Sequence, residues 1–231
     1  MNDLIGSELN RRSILRGGAA GALILAMPAC STIPGLSFTD AIRRLLLLSS
    51  ERAFTRLTAD GGYWDSQVGR LGLNQLLGVR GDTITSVLTS TLFKSRLEGV
   101  FADIAVEGSE RAAPIVAEAV RTIGISNAIA LVQGGPTAAT NLLRGELGGT
   151  LVEAMVPEIG DAIQIASDPL VARLVNSATG TDIGEITQRL SNSVNGAIWE
   201  EIGTEESAIR QDPGATNDPL LIGVFGVGSA L

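Results

Sequence analysis

Side-chain catalysis needs groups that can donate, accept or attack near neutral pH, and this sequence offers few of them. Its 231 residues include no histidine. The commonest general base, the Ser-His and Cys-His nucleophile pairs and imidazole metal ligands are therefore all missing. Lys94 is the sole lysine; Ser90 lies one turn before it, where a Ser–Lys dyad is conceivable and a solvated helix lysine is the simpler reading. Arginine cannot stand in as a base because it stays protonated. Carboxylates remain: Asp103 and Glu107 stand at i,i+4, and Glu158 and Asp161 at i,i+3. Paired acids can perform glycosidase chemistry or hold a hard cation. No calcium-loop spacing occurs, however, and acids at these intervals ordinarily form a solvated helix face. Glu200, Glu201, Glu205 and Glu206 form an acidic cluster that reads as an exposed helix end, with Arg210 able to pair with it and Ile209 able to anchor the segment. Gly134-Gly135 ahead of Thr137 has two readings. It could present backbone N–H groups and a helix N-terminus to an anion. Alternatively, it is a tight turn in which glycine permits positive φ and Thr137 caps the next helix. No catalytic residue, metal site or cofactor is assigned.

Cys30 is the single cysteine, so neither an intrachain disulfide nor a thiolate metal cluster can form within one chain. Its setting is informative. Asn10-Arg11-Arg12-Ser13-Ile14-Leu15-Arg16 puts paired arginines before two apolar residues and a further base, and an apolar run follows from Gly17 to Ala29. Thirteen residues are too few to cross a hydrocarbon core that needs about 20, but they have the length of a signal-peptide h-region. The pattern resembles a twin-arginine translocation signal, with Arg11 and Arg12 as the pair; an ordinary secretory signal that carries Arg-Arg is the alternative. The run ends Ala26-Met27-Pro28-Ala29-Cys30-Ser31. A small residue directly before a cysteine resembles a lipoprotein processing site, although Met27 and Pro28 depart from the usual residues. That resemblance implies lipid attachment at Cys30 and, with Ser31 rather than Asp next, the periplasmic face of an outer membrane. Cleavage near Ala29 to leave a soluble periplasmic protein is the alternative.

Residues 1–29 carry Arg11, Arg12 and Arg16 against Asp3 and Glu8, so without them the net charge moves from −8 to −9. Such a chain attracts neither phosphate backbones nor anionic lipid, and nucleic acid is not an expected partner. Apolar residues make up 45% of the chain and aromatics only 3%, which favours a core of aliphatic side chains between closely packed helices.

The elements that must position these groups read as helices throughout. Ile42, Leu46, Ser49, Ala53 and Leu57 follow one helical face, with Ser37 or Thr39 as cap. Residues 59–81 read as an irregular excursion with at most one short helix. Helical spacing returns over Leu97–Ile104 and again over Ile115–Ile123, the second helix opening at Pro114. A short helix capped by Ser126 ends near Val132, and Thr137 opens another toward Leu147. Leu151, Met155 and Ile159 mark the next, Pro169 through Val175 another, and Ile183 to Ala197 the last long one. The tail from Pro219 is apolar and should dock on the bundle. No sustained strand-like alternation is present. The 28 glycines favour short helices divided by turns.

Several stretches resemble the bacterial family known as domain of unknown function 4197. The strongest runs Ala128-Ile129-Ala130-Leu131-Val132-Gln133-Gly134-Gly135-Pro136-Thr137-Ala138-Ala139-Thr140-Asn141. A second is Glu205-Glu206-Ser207-Ala208-Ile209-Arg210-Gln211-Asp212-Pro213, followed by Val224-Phe225-Gly226. Asp60-Gly61-Gly62-Tyr63 and Arg111-Ala112-Ala113-Pro114 match more weakly. Leu142, Leu143 and Gly145 depart from the family pattern, as does the lack of a Pro-rich segment near Leu71. The resemblance implies an exported helical protein and no defined activity.

These readings combine into an all-α protein, a single compact bundle of roughly seven to nine short helices with Gly-rich turns. Its expected divisions are a signal peptide over 1–29, a tether over 30–36, a helical domain over 37–226 and a tail over 227–231. The expected function is that of a non-catalytic cell-envelope lipoprotein, held at the membrane through Cys30, whose domain binds an envelope protein or a hydrophobic ligand. A carboxylate-dependent envelope hydrolase and a structural spacer are the alternatives.

Overall fold

A computed structural model describes residues 37–71, 91–165 and 183–226, all within one unit spanning Leu36–Leu231. The expected signal peptide with Arg11 and Arg12, the tether, Cys30, Ser90, the helix from Pro169 and the tail from 227 lie outside the described residues.

The protein is all-α. Eight α-helices and one 3₁₀ turn are present among the described residues, with no strand. In chain order they are α1 (Phe38–Leu57), α2 (Tyr63–Leu71), α3 (Thr91–Thr122), α4 (Ala128–Val132), α5 (Ala138–Leu147), α6 (Thr150–Ile165), α7 (Ile183–Gln211), the 3₁₀ turn Pro213–Thr216, and α8 (Pro219–Phe225). Helices α1, α3, α6 and α7 form a ring in which each packs on two neighbours: α1 on α3 and α7, and α6 on α3 and α7. Helix α2 leans on α3, α5 on α7, and α4 and α8 on α1. None of the described helices is both long and apolar enough to cross a membrane.

Apolar periodicity explains the ring. Ile42, Leu45 and Leu46 of α1, Val116 and Val120 of α3, Leu151, Met155 and Ile159 of α6, and Leu190, Val194 and Ile198 of α7 are buried in one continuous cluster. Ser37 caps α1 by accepting a hydrogen bond from Asp40 N at 3.1 Å. Arg52 and Arg56 of α1 meet Glu205 and Glu201 of α7 in reversed order, so the two helices run antiparallel. Beyond the end of α7, Asp218 accepts from Arg44 Nε at 2.7 Å and from the Leu220 and Leu221 amides at the start of α8. Burial alone would raise the pKa of Asp218, but these three donors outweigh it and hold the carboxyl below its ordinary range. Leu221 and Phe225 of α8 are buried, so the described part of the apolar tail, Pro219–Phe225, docks as its composition predicts.

Three expectations change. Residues 91–122 form a single helix of 32 residues rather than two helices divided at Pro114. The Pro114 ring sits on the exposed side of α3, while Ala112, Val116 and Val120 continue the buried stripe past it. The missing N–H therefore weakens only the solvent face, and packing carries the helix through. Pro157 is tolerated in the same way inside α6. Nor do the glycines only separate helices: Gly108, Gly196 and Gly203 lie inside α3 and α7. A Cβ at Gly108 would stand 3.0 Å from Ile159 Cδ1 and 3.6 Å from Val194 Cγ1, so this glycine lets α3, α6 and α7 approach closely. The short helix after Ser126 is capped one residue later than expected, by Asn127 accepting from Ala130 N at 3.1 Å.

Helix α2 is held by a buried polar chain. Trp64 Nε1 donates to Ser109 Oγ at 3.1 Å, and Ser109 Oγ donates to Ala105 O at 2.8 Å. The indole is thereby buried without losing its hydrogen bond.

Gly108→Val should lower the melting temperature by several degrees. Overpacking a closed core costs about 1–3 kcal/mol, and each kcal/mol is worth about 2–4 °C at this chain length. A melting curve unchanged by the substitution would exclude the close approach at this point.

Candidate functional site

The Gly-Gly segment is built from its ends inward. Helix α4 stops at Val132, and the chain turns through Gly134, where a Cβ would collide with Ala138 Cβ at 2.7 Å and Ala130 O at 3.0 Å. Only glycine fits there, for want of space and not for the expected positive φ, which neither Gly134 nor Gly135 adopts. Ala138 N then bonds to Gly135 O at 3.1 Å, and α5 begins after Thr137. Thr137 occupies the N-cap position but makes no side-chain capping bond. The amide donors of the first turn, which need a partner, find one far along the chain.

That partner is Glu206. Its carboxylate accepts from Ala139 N at 3.0 Å, Thr140 N at 2.7 Å and Thr140 Oγ1 at 2.6 Å, with no solvent exposure at all. Arg210, one turn further along α7, donates from Nε to Glu206 Oε1 at 2.8 Å. The same guanidinium donates to Val132 O at 3.0 Å and Leu131 O at 2.9 Å, closing the C-terminal end of α4, and lies 4.9 Å from the centre of the Phe225 ring. A carboxylate therefore faces a helix N-terminus and a guanidinium faces a helix C-terminus, each matching the sign of the helix dipole. Gly203 makes room for the arrangement: a Cβ there would lie 3.1 Å from Thr137 Cγ2. The acidic cluster is therefore not simply an exposed helix end. Glu206 is fully buried and Glu201 is 7% exposed, whereas Glu200 faces solvent. The backbone donors at the Gly134–Thr137 turn serve an anion supplied by the chain itself.

Concave surfaces among the described residues lie on several sides of the bundle. A polar groove of about 740 Å3 runs between α5 and α7, lined by Thr137, Asn141, Arg144, Glu200, Ser207 and Gln211. A cleft of about 600 Å3 where α1, α2 and α7 meet holds Arg56, Tyr63, Arg70 and Glu201. There, Arg56 NH1 is 3.0 Å from Glu205 Oε1 and 3.2 Å from Glu201 Oε2; the Glu201 contact is too oblique for a hydrogen bond. Burial pushes the Glu201 carboxyl above the ordinary carboxylate range, against the attraction of Arg56. Burial likewise raises Tyr63, whose hydroxyl accepts from Gln67 Nε2 at 2.7 Å. Two further surfaces lie along α1 and α3. One is an apolar groove of about 670 Å3 containing Leu47, Ser50, Phe54, Ala113 and Ala117; the other is an acidic cleft of about 370 Å3 at Asp60, Asp103 and Glu107.

The remaining sequence candidates do not assemble. Lys94 pairs with Glu98 at 3.6 Å on the surface, and Glu158 pairs with Arg111 at 3.1 Å while Asp161 faces solvent. Among the described residues, no group of three metal-binding side chains comes close enough to hold an ion. The i,i+4 spacing of Glu206 and Arg210 was legible as a pair. Its long-range acceptance of the Ala139 and Thr140 amides had no local signature.

Ring and ion pair together define an all-α domain whose two most distinctive stretches, Ala128–Asn141 and Glu205–Pro213, are joined through one buried charge pair. The chain belongs to DUF4197, a family of proteins of unknown function, whose profile matches residues 33–226. No curated protein and no solved structure matches it.

Glu206→Gln leaves the Arg210 guanidinium buried without a counter-charge, a change that costs about 3–5 kcal/mol. Thermal or urea unfolding should register that loss, whereas the exposed Glu200→Gln should stay within about 0.5 kcal/mol of the native chain; equal effects would refute the buried pair. Glu201 makes a separate prediction. Because its folded pKa is raised, its favourable contribution is present at low pH and is lost as pH rises through the folded pKa. The melting temperature of Glu201→Gln, measured relative to the native chain, should therefore improve between about pH 4 and about pH 7. A pH-independent difference would contradict the buried, ionisable carboxyl.

Proposed function

We infer that this protein is an exported lipoprotein of the cell envelope, anchored through Cys30, whose helical domain binds rather than catalyses. The observation that carries the binding reading is the α1–α3 groove. Leu47, Phe54, Ala113 and Ala117 give it apolar walls, and Ser50, only 4% exposed, brings to it a hydroxyl with no hydrogen-bond partner. Apolar walls flanked by polar side chains, here Glu51, Thr55, Thr58 and Glu110, suit a ligand with both apolar and polar parts. The buried chemistry at Glu206 and Arg210 points the same way, since every strong donor and acceptor there is engaged within the protein. The anchoring reading rests on the sequence around Cys30 and on the twin-arginine pattern at Arg11 and Arg12.

A carboxylate-dependent envelope hydrolase is the second reading, favoured by one observation: Glu201, with its raised pKa, shares a cleft with Tyr63. Hydrolysis of cell-wall glycan that disappears in Glu201→Gln would establish it in place of the binding reading.

Membrane fractionation and intact mass of the native protein beside Cys30→Ala test the anchor. The native chain should sediment with membranes and carry lipid mass at Cys30, and the variant should do neither; two soluble, unmodified proteins would leave a periplasmic carrier instead. The uncharged dye N-phenyl-1-naphthylamine tests the groove. Its fluorescence should rise on binding the native protein and fall back in Ala117→Trp, whose indole would fill the space.

A further inference from the structure

The apolar groove and the acidic cleft are parts of one furrow. Glu110 lines both. Along α3, Asp103, Glu107, Glu110, Pro114, Ala117 and Arg121 follow i, i+4, i+7, i+11, i+14 and i+18, a single stripe down one helix face. The opposite wall is α1, from Arg44 to Thr58, continued by the turn at Asp60 and by Asp65 of α2. One half of the furrow has apolar walls at Leu47, Phe54, Ala113 and Ala117 with Arg44, Glu51 and Arg121 beside them, and the other is bordered by carboxylates.

Six acids line it: Glu51, Asp60, Asp65, Asp103, Glu107 and Glu110. None has an ion pair among the described residues, although most arginines of the bundle are matched elsewhere, as Arg111 is by Glu158 and Arg52 and Arg56 are by α7. Among the described residues, the cations that line the furrow are Arg44 and Arg121, which stand at its apolar end and are engaged by Asp218 and Glu118. Like charges concentrated along one face repel one another unless something positive lies between them. They do not converge on a metal: no three come close enough to share one ion. A single cationic headgroup would also leave most of them unmatched. From Asp103 to Arg121, the face extends for about 27 Å at 1.5 Å per residue. The unpartnered Ser50 hydroxyl is a second and independent feature of the same surface.

We propose that this furrow docks a basic amphipathic helix of a partner protein. Its apolar face lies against Leu47, Phe54, Ala113 and Ala117, and its lysines or arginines lie over Asp60, Asp103, Glu107 and Glu110. This is helix-in-groove recognition, with the charges setting direction and register. The proposal rests on the binding reading above and is independent of the lipid anchor.

The probe is a labelled 18-residue helical peptide with leucine and alanine on one face and lysine on the other, beside a peptide of the same composition in scrambled order. Binding to the processed full-length protein is read by fluorescence anisotropy at low salt, and the site by hydrogen exchange. The ordered peptide should bind, protect α1 and α3, and lose affinity as salt rises. Replacing Asp103→Asn, Glu107→Gln and Glu110→Gln together should weaken it about ten-fold, in keeping with three exposed charge pairs. Neutralising three exposed acids elsewhere, Glu146→Gln, Glu153→Gln and Asp161→Asn, should leave it unchanged. Equal binding of the scrambled peptide, equal effects of the two triple variants, or protection confined to other helices would each overturn the proposal. If the naphthylamine dye binds in the furrow and the peptide does not, the basic-helix partner is wrong while the apolar-binding reading stands. If neither binds, both are wrong.

Discussion

A carboxylate removed from water is costly unless its charge and its lone pairs are all met, and Glu206 is met on every side. It takes two backbone amides and a hydroxyl from the start of α5 and a guanidinium from its own helix. Arg210 in turn closes the end of α4 and lies over Phe225 of α8. Four helices thus depend on two adjacent turns of α7. The turn between α4 and α5 contains Gly-Gly-Pro, which by itself specifies little, and Thr137 leaves its capping role unfilled. That turn takes its geometry from α7, across more than sixty residues of sequence.

Residues that mark a family often invite interpretation as an active site. Here the most distinctive ones are occupied structurally. Gly134 is required because Ala138 and the Ala130 carbonyl leave no room for a side chain, and nearby Gly203 lets Thr137 pack closely on α7. Thr140 and Glu206 bond to each other. The surfaces open to a ligand lie elsewhere on the bundle, among them the groove along α1 and α3, whose walls include Leu47, Ala113 and Ala117.

Much of the architecture was readable because burial imposes a period on the sequence. The stripes of α1 and α7 and the apolar face at Leu151, Met155 and Ile159 each repeat at helical spacing, and each is buried. Local rules misled where tertiary packing outweighed them. Pro114 looks like a helix start, yet Ala112 and Val116 on either side of it belong to one buried stripe, so α3 runs on. Gly108 looks like a breaker, yet the space it leaves is filled by Ile159 and Val194. The four glutamates near the end of α7 look alike by residue type. Helical spacing separates them: Glu206 stands four residues after Ile202 and three before Ile209, on the buried stripe of α7, and Glu200 stands off it, but the α5 amides that meet Glu206 have no local signature.

The charges follow from the same geometry. Antiparallel packing brings Arg52 and Arg56 of α1 against Glu205 and Glu201 of α7, and α3 gives Arg111 to Glu158 of α6. Acids outnumber bases, 25 to 17 over the whole chain, so carboxylates remain in excess whatever pairs form. The excess could have been spread evenly, which is the cheapest arrangement for an isolated acidic domain. Instead, Asp103, Glu107 and Glu110 fall on one face of α3, and Asp60 and Asp65 border the same cleft. Placing mutually repelling groups together weakens the free protein slightly and strengthens its attraction for a basic surface. The apolar groove that continues from them limits that surface to one with a hydrophobic side as well. A small cation meets only the first requirement and a neutral lipid only the second, whereas a basic amphipathic helix meets both.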